Sequence, residues 1–512
     1  MTTETFQSIW DSTVREHTDN SFLVFRSESG SVSDWTYGEF DTVVARTAGA
    51  LREAGVGPGS PVHVALRNCP AFIALWLAAA RLGAWLVPVD PASAARDVAS
   101  QIRRVRPVLG VCAADRAAAY KEGAAETATV VIELAEDASD ISAEGPLAAG
   151  APVEKPNPVK PFDRAAVMFT SGTTSEPKGV VLTQANYAHV AETMAKVTRL
   201  QSQHRWHVTL PLFHANAQYY CFAPAIAVGA SVALSAAFSA SGWVSHAREL
   251  GVTHASLFAA PIRMILARCA PDEQPLNLEH IWFAQSLGAE HYEQFAQLAG
   301  TRPRQLYGMT ETVAIVCADT SDPLGHDVIG TPLPGRRALV CAPGGSGIAA
   351  PDEPGELRVL GTPGVDLFSG YLDDEQTTAE AFRHTEEGTW FATGDLVSAN
   401  IDGVLRFVGR VDDVIKVSGE NVSLTEVEAA VAQAPGVLEV AVVAQPDPMR
   451  DVVPVAYVVA RDPHNPPHAD DLTEWASHNL SPAARPRQWN LIDELPRTSV
   501  GKIRRFRLPA DQ

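Results

Sequence analysis

The stretch from Ala71 to Val89 constrains the fold more than any other part of the chain. It is almost wholly apolar, yet it carries Arg81 in its middle and Pro88 near its end. A guanidinium inside hydrocarbon is costly, so a membrane span is not expected. Gly83 interrupts the run where a helix C-cap would stand. The stretch therefore predicts a buried helix to about Leu82, followed by a buried strand over residues 84–89. An all-round apolar helix beside a strand apolar on both faces needs cover on every side.

The pattern continues around it. Between about residues 34 and 137, helical periodicity (40–54) alternates with short apolar strands (61–65, 107–112). Such alternation implies βαβ units and a mostly parallel sheet, so the fold class is α/β. From Ser139 to Asp163 it lapses, and Pro146, Pro152, Pro156, Pro158 and Pro161 mark a surface connection or subdomain boundary. Strand and helix signals resume from Ala165 to about Val316. Between Ile329 and Phe407, short strands rich in Gly and Pro predict a small β subdomain. After Arg410, a helix over 423–433, strands over 437–443 and 452–460 and a helix over 470–480 predict a compact α+β unit.

Composition narrows the function classes. Sixty acidic and 40 basic side chains leave a net charge of −20, which argues against a nucleic-acid partner. A small anion remains admissible, because a pocket can be positive inside an acidic surface. The six cysteines are widely spaced with no CxxC pair, so neither a zinc site nor a disulfide framework is expected. With a polar N-terminal segment, a reduced, cytoplasmic setting follows as the expectation. Seven of the 40 basic residues are lysine. A GC-rich genome explains that ratio, but it makes each lysine worth inspecting.

Five segments carry chemistry. Thr170-Ser171-Gly172-Thr173-Thr174-Ser175-Glu176-Pro177-Lys178-Gly179 lies between two apolar strands. Hydroxyls and backbone N–H groups on a tight turn make an anion nest, and Lys178 adds a compact positive charge. A Walker A loop is excluded, because Lys178 leads into Gly179 and a strand. A polar hairpin loop explains the spacing equally well. Gln305-Leu306-Tyr307-Gly308-Met309-Thr310-Glu311-Thr312 offers a flat ring, a hydroxyl and a hard oxygen for Mg²⁺, or a capped loop. Thr393-Gly394-Asp395 precedes Gly409-Arg410; an acidic strand end can accept ribose hydroxyls, though singly Asp395 reads as a turn residue. Asp412 to Asn421 and Pro496 to Lys502 complete the set; alone, Lys502 reads as a solvated lysine.

In this order the five segments resemble the adenylate-forming (ANL) superfamily, which includes acyl- and aryl-CoA synthetases. The resemblance covers about Trp35 to Arg505 and also takes in Asn68-Cys69-Pro70, Val87 to Asp90, Gly355-Glu356-Leu357 and Gly370-Tyr371. It implies a large domain over 1–411, binding AMP and the acyl group, and a smaller mobile α+β domain over 412–512. It implies that Thr170, Ser171, Gly172, Thr173, Thr174 and Lys178 hold ATP phosphates, and that Gly288, Ala289, Glu290, Tyr307 and Gly308 surround the adenine. Thr310 would contact the α-phosphate, Glu311 would help hold Mg²⁺, and Asp395 with Arg410 would bind the ribose. Asp412 would be the hinge, Lys502 the catalytic cation of the adenylating half-reaction, and Gly419 the close approach for the arm of coenzyme A.

The branch narrows further. Residues 210–217 lack the acid that pairs a substrate amine in amino-acid-activating members, and Phe213-His214 is the CoA-ligase form. Residues 255–266 are similar to carnitine-type ligases. His214, Leu287 and Val313 are expected at the acyl pocket. The expected activity is ligation of CoA to a small or bulky hydrophobic carboxylic acid, on a monomer or homodimer. The alternatives are a specialist for thioester formation, fed acyl-AMP by a partner ligase as in a terpenoid-acid pathway, and a non-catalytic binder. Ser175, Ala217, Leu287 and the segment Met449 to Val452 depart from the family pattern and weaken any transfer of a known substrate.

Overall fold

All thirteen residues of the helix Pro70–Leu82 are buried, and it ends on Gly83 in the left-handed conformation at φ +68°. The strand Trp85–Pro88 follows at once, as the apolar run requires. The computed structural model describes residues 4–127, 129–170, 177–270, 272–342, 347–417, 420–447, 451–497 and 503–508. No helix among them is long and apolar enough to cross a membrane.

Arg81 is only 2% exposed and pairs with Asp41, which also accepts from Trp10 Nε1 at 2.8 Å. Its Nη1 donates to the Val153 carbonyl at 3.3 Å. The proline-rich connection is therefore no boundary. It is a strap across this helix, with Ile141, Leu147 and Val153 buried and Asn157 bonded to the Arg81 and Leu82 carbonyls. A buried charge survives because it is paired and hydrogen-bonded.

Among the described residues the strands form four sheets. The seven-stranded sheet runs in the order Gly370–Tyr371, Lys178–Thr183, Arg164–Thr170, Trp85–Pro88, Pro61–Ala65, Leu109–Ala113 and Val130–Leu134. Its last five are mutually parallel and its first three antiparallel. The nine-stranded sheet has a parallel centre from Ser21–Arg26 to Arg304–Tyr307, with antiparallel edges. A five-stranded antiparallel sheet within 337–410 is the predicted β subdomain. The segment after Arg410 builds a further five-stranded sheet flanked by Leu424–Val431 and Ala469–Asn479. This is an α/β fold with a large N-terminal part and a smaller C-terminal one.

Two consequences can be measured. Arg81→Ala leaves Asp41 without its partner and should cost about 3 kcal/mol in urea unfolding, with Arg81→Met costing less because it keeps the packing. Buried histidines make stability pH-dependent. Burial lowers His63 from 6.5 to about 4, and His207 and His254 to about 3. Folding keeps them neutral, so the penalty is absent above the unfolded value of 6.5. As pH falls below it the unfolded chain takes up protons that the folded chain refuses. Stability then drops by about 1.4 kcal/mol per pH unit per histidine. Burial raises Glu136 and Asp140, which act in the opposite direction, so substitution is needed to isolate the histidine part. His254→Phe should flatten the pH 7 to 5 dependence of the urea midpoint; an unchanged slope would sink this account.

Candidate active site

The strands Arg164–Thr170 and Lys178–Thr183 are antiparallel, with Thr170 opposite Lys178 in register. They bring the two ends of the hydroxyl-rich loop together; Ser171, Gly172, Thr173 and Thr174 lie outside the described residues. The Lys178 ammonium stands 5.2 Å from the Tyr371 ring centroid. Arg104 donates to the Pro177 carbonyl at 2.7 Å and to the Leu372 carbonyl at 3.2 Å, tying the loop exit to the neighbouring strand.

The second segment leaves the nine-stranded sheet at Tyr307. A Cβ on Gly308 would sit 2.8 Å from the Tyr220 hydroxyl and 3.2 Å from the Ile315 Cα, so the close approach requires glycine. Thr310–Thr312 form one 3₁₀ turn, closed by the Met309 N–H donating to Thr312 Oγ1 at 3.0 Å. Val313 follows at φ +63°, ψ −82°, a strained position for a β-branched residue. Arg336, 7% exposed, holds the turn. It donates to the Thr312 carbonyl at 2.7 Å and the Asp366 carbonyl at 2.8 Å, and pairs with the Asp366 carboxylate at 3.4 Å. The Glu311 carbonyl accepts from the Phe368 N–H at 2.8 Å, and its carboxylate accepts from the Tyr371 hydroxyl at 3.2 Å.

The third segment turns through Gly394 at φ +71°. Asp395 is paired in register with Arg410 across adjacent strands. Its Oδ2 accepts from the Tyr307 hydroxyl at 2.6 Å, and its Oδ1 lies 3.5 Å from Arg410 Nε. Burial, and then the neighbouring Asp395, push the Tyr307 phenol well above its ordinary value, so it remains a donor. The Tyr307 ring lies 6.4 Å from that of the partly exposed Phe407, an aromatic neighbour that the motif reading missed.

The other predicted residues spread around this junction. Gly288 is the N-cap of the helix Ala289–Ala299, and Glu290 in its first turn is exposed, accepting from Gln294 at 3.1 Å. A Cβ on Gly288 would come 3.5 Å from Gln433, and Arg461 lies 3.4 Å from His291, so the C-terminal segment rests against this helix. Leu287 and Val313 are buried in separate apolar clusters, while His214 is half-buried. Asp412 lies in the turn Val411–Asp413, where Asp413 pairs with Arg505 at 3.2 Å. Arg505 also pairs with Glu428 at 2.8 Å, linking the expected hinge to the end of the chain. Gly419 and Lys502 lie outside the described residues.

A divalent cation is compatible with these donors in one way. No group of three or more His, Cys, Asp or Glu side chains able to hold a metal occurs among the described residues. Glu311 supplies a hard oxygen, linked to Lys178 through Tyr371, and one carboxylate with phosphate oxygens and water is a usual setting for Mg²⁺.

Residues 10–372 match the family model described as AMP-binding enzyme, and residues 426–502 match the AMP-binding enzyme C-terminal domain. The chain is similar to a crotonobetaine/carnitine–CoA ligase of Salmonella arizonae, with 28% identity over 507 residues, 97% of each chain. Among solved structures, an anthranilate CoA ligase with anthranoyl-AMP superposes with a TM-score of 0.88 at 20% identity, covering 98% of this chain and 96% of that one. An o-succinylbenzoate CoA synthetase from Bacillus subtilis, with its acyl-adenylate, gives 0.85 at 23% identity, covering 100% and 99%. These two likenesses establish the fold.

The Tyr307–Asp395 bond yields a direct test. Tyr307→Phe and Asp395→Asn should each destabilise the protein, and a double-mutant cycle in urea should return a coupling of about 1.5–3 kcal/mol for a hydrogen bond to a charged group. A coupling near zero would show that the two residues do not interact.

Proposed function

The chain belongs to the AMP-binding enzyme family, and on that premise we infer that it is an AMP-forming acyl–CoA ligase. It activates a carboxylic acid with ATP and passes the acyl group to coenzyme A. The observation that carries this reading is the convergence of two pairs on one junction. Tyr371 lies between Lys178 and Glu311 and contacts both, while Tyr307 and Arg410 meet Asp395. The full-length similarity to proteins named crotonobetaine/carnitine–CoA ligase supports it.

The roles follow from the charges. In the first half-reaction a carboxylate oxygen attacks the α-phosphorus, and the bond to pyrophosphate breaks. Anion approaches anion, so positive charge must stand where charge develops. Thr170, the loop after it and Lys178 face the β- and γ-phosphates; Thr310 faces the α-phosphate. Glu311 would help hold Mg²⁺, which would supply further positive charge when bound. Asp395 and Arg410 receive the ribose, and Tyr307, Gly308 and residues 288–290 surround the adenine. Lys502 reaches the reacting oxygens from the C-terminal domain, which pivots at Asp412. In the second half-reaction the thiol of coenzyme A attacks the acyl carbonyl and AMP departs, with Gly419 giving the pantetheine arm room. The half-buried His214 faces the acyl chain, with the buried Leu287 and Val313 behind the wall of its pocket. The apolar character of Leu287 and Val313, and the lack of an acid in residues 210–217, favour a hydrophobic acid without an amine.

A panel of carboxylic acids assayed for both pyrophosphate release and CoA-ester formation tests the reading. Lys502→Ala should lose adenylation by about a hundredfold or more, the scale of one preorganised charge, and lose thioester formation from supplied acyl-AMP far less. Adenylation that survives the substitution would refute the role given to Lys502. Thioester formation without any ATP–pyrophosphate exchange would refute activation by this chain.

A further inference from the structure

We propose that Tyr371 is a positioning residue that joins the cation Lys178 to the carboxylate Glu311, so that the phosphates and the metal of Mg-ATP are received in one register. The proposal rests on the reading of Lys178 and Glu311 given above. It adds a residue whose own side chain need not touch the nucleotide.

The backbone of Tyr371 is held from several sides. Gly370–Tyr371 pairs antiparallel with Lys178–Thr183, Tyr371 opposite Val180. Ser369 N–H donates to the Val181 carbonyl at 2.9 Å, and Leu372 N–H to the Gly179 carbonyl at 2.7 Å. Tyr371's own N–H donates to Thr378 Oγ1 at 2.9 Å, and Phe368 packs against its ring at 4.8 Å between centroids. From this fixed base the two parts of the side chain serve different neighbours. The ring face carries the Lys178 ammonium at 5.2 Å. The hydroxyl donates to Glu311 Oε1 at 3.2 Å. Phe368 N–H meanwhile fixes the Glu311 carbonyl at 2.8 Å, so the carboxylate is located through its backbone and through Tyr371.

The chemistry of each contact suits its neighbour. A ring supports a cation without neutralising it, leaving the ammonium's charge for phosphate. A carboxylate accepts through several lone pairs, so one phenol donor orients it while leaving capacity for a metal. A residue needed only to fill space here could be phenylalanine. The hydroxyl is the part that packing does not explain.

The test separates ring from hydroxyl. ATP binding is measured by calorimetry with and without Mg²⁺ on the full chain, alongside the Mg²⁺ dependence of ATP–pyrophosphate exchange. Tyr371→Phe should cut the gain in ATP affinity conferred by Mg²⁺ about tenfold, the scale of one hydrogen bond to a charged group, and leave metal-free ATP binding in place. The Mg²⁺ concentration for half-maximal exchange should rise by more than the maximal rate falls. Tyr371→Leu should in addition weaken metal-free ATP binding about threefold, by removing the face beneath Lys178. Equal losses with and without Mg²⁺ in Tyr371→Phe would overturn the proposal, since a merely structural role produces that result. Glu311→Gln distinguishes the two levels. If it abolishes the Mg²⁺ gain while Tyr371→Phe does not, the proposal alone is wrong. If Glu311→Gln leaves the gain intact, the metal-binding reading of Glu311 fails and takes the proposal with it.

Discussion

The hydrogen bond from Tyr307 to Asp395 is the contact on which the site's geometry depends. Tyr307 ends a strand of the nine-stranded sheet, and Asp395 sits in the five-stranded sheet of residues 337–410. The two strands lie 88 residues apart in sequence and share no ladder. Without that bond, nothing in their own backbone pairing would align them at this point. Asp395 is held across the ladder by Arg410, the last residue before the turn into the C-terminal part. One carboxylate thus ties the nine-stranded sheet, an antiparallel sheet and the lead into the C-terminal part. The seven-stranded sheet enters through Tyr371 and Glu311. The site is therefore a junction of three sheets, and each supplies what another lacks: the cation Lys178, the turn that carries Glu311, and the acid Asp395.

The charges at that junction are unequally committed. Arg410 lies against Asp395, Arg336 is spent on the Thr312 and Asp366 carbonyls, and Arg104 on two further carbonyls. These guanidiniums make geometry, and a rigid fork of donors is suited to that task. Lys178 is supported by a ring, which leaves its field intact. In a chain of net charge −20, attraction of a polyanion cannot come from the whole surface. It has to come from local positive charge such as that of Lys178. A scarce lysine among many arginines marks this division of labour, whatever the codon bias behind the ratio.

The legible parts of the fold were those written locally. The run from Ala71 to Val89 declared a helix, a glycine stop and a strand because burial on all sides leaves few alternatives, and the strand at 61–65 matched to the residue. What Arg81 does was not legible, since its partner Asp41 lies on another helix and its carbonyl acceptor in a proline-rich strap. The strap was read as a surface connection or subdomain boundary, because proline density reports the absence of regular structure and says nothing about burial. The motif residues were legible through resemblance, in their order along the chain. Tyr371, Arg336, Arg104 and Phe407 were not singled out for a role. Their spacing from the residues they hold has no period, and only the folded chain brings them together.

Val313 is the sharpest case of a local rule overruled. A β-branched residue is among the poorest choices for φ +63°, so propensity argues against the conformation it adopts. The strain, of order 1–3 kcal/mol, persists only where the surroundings over-determine the backbone. Here they do. Thr312 closes the 3₁₀ turn ahead of it through the Met309 N–H, Arg336 grips the Thr312 carbonyl, and Val313's side chain is fully buried in the main core. The turn cannot relax without exposing that side chain or releasing the buried Arg336. The same turn carries Thr310 and Glu311, and the Glu311 carbonyl is pinned by Phe368. Under the roles proposed for Thr310 and Glu311, the two groups are best held before the substrate arrives, since reorganisation at that moment adds to the barrier. The strain at Val313 is thus the structural cost of a turn whose polar groups are already aimed.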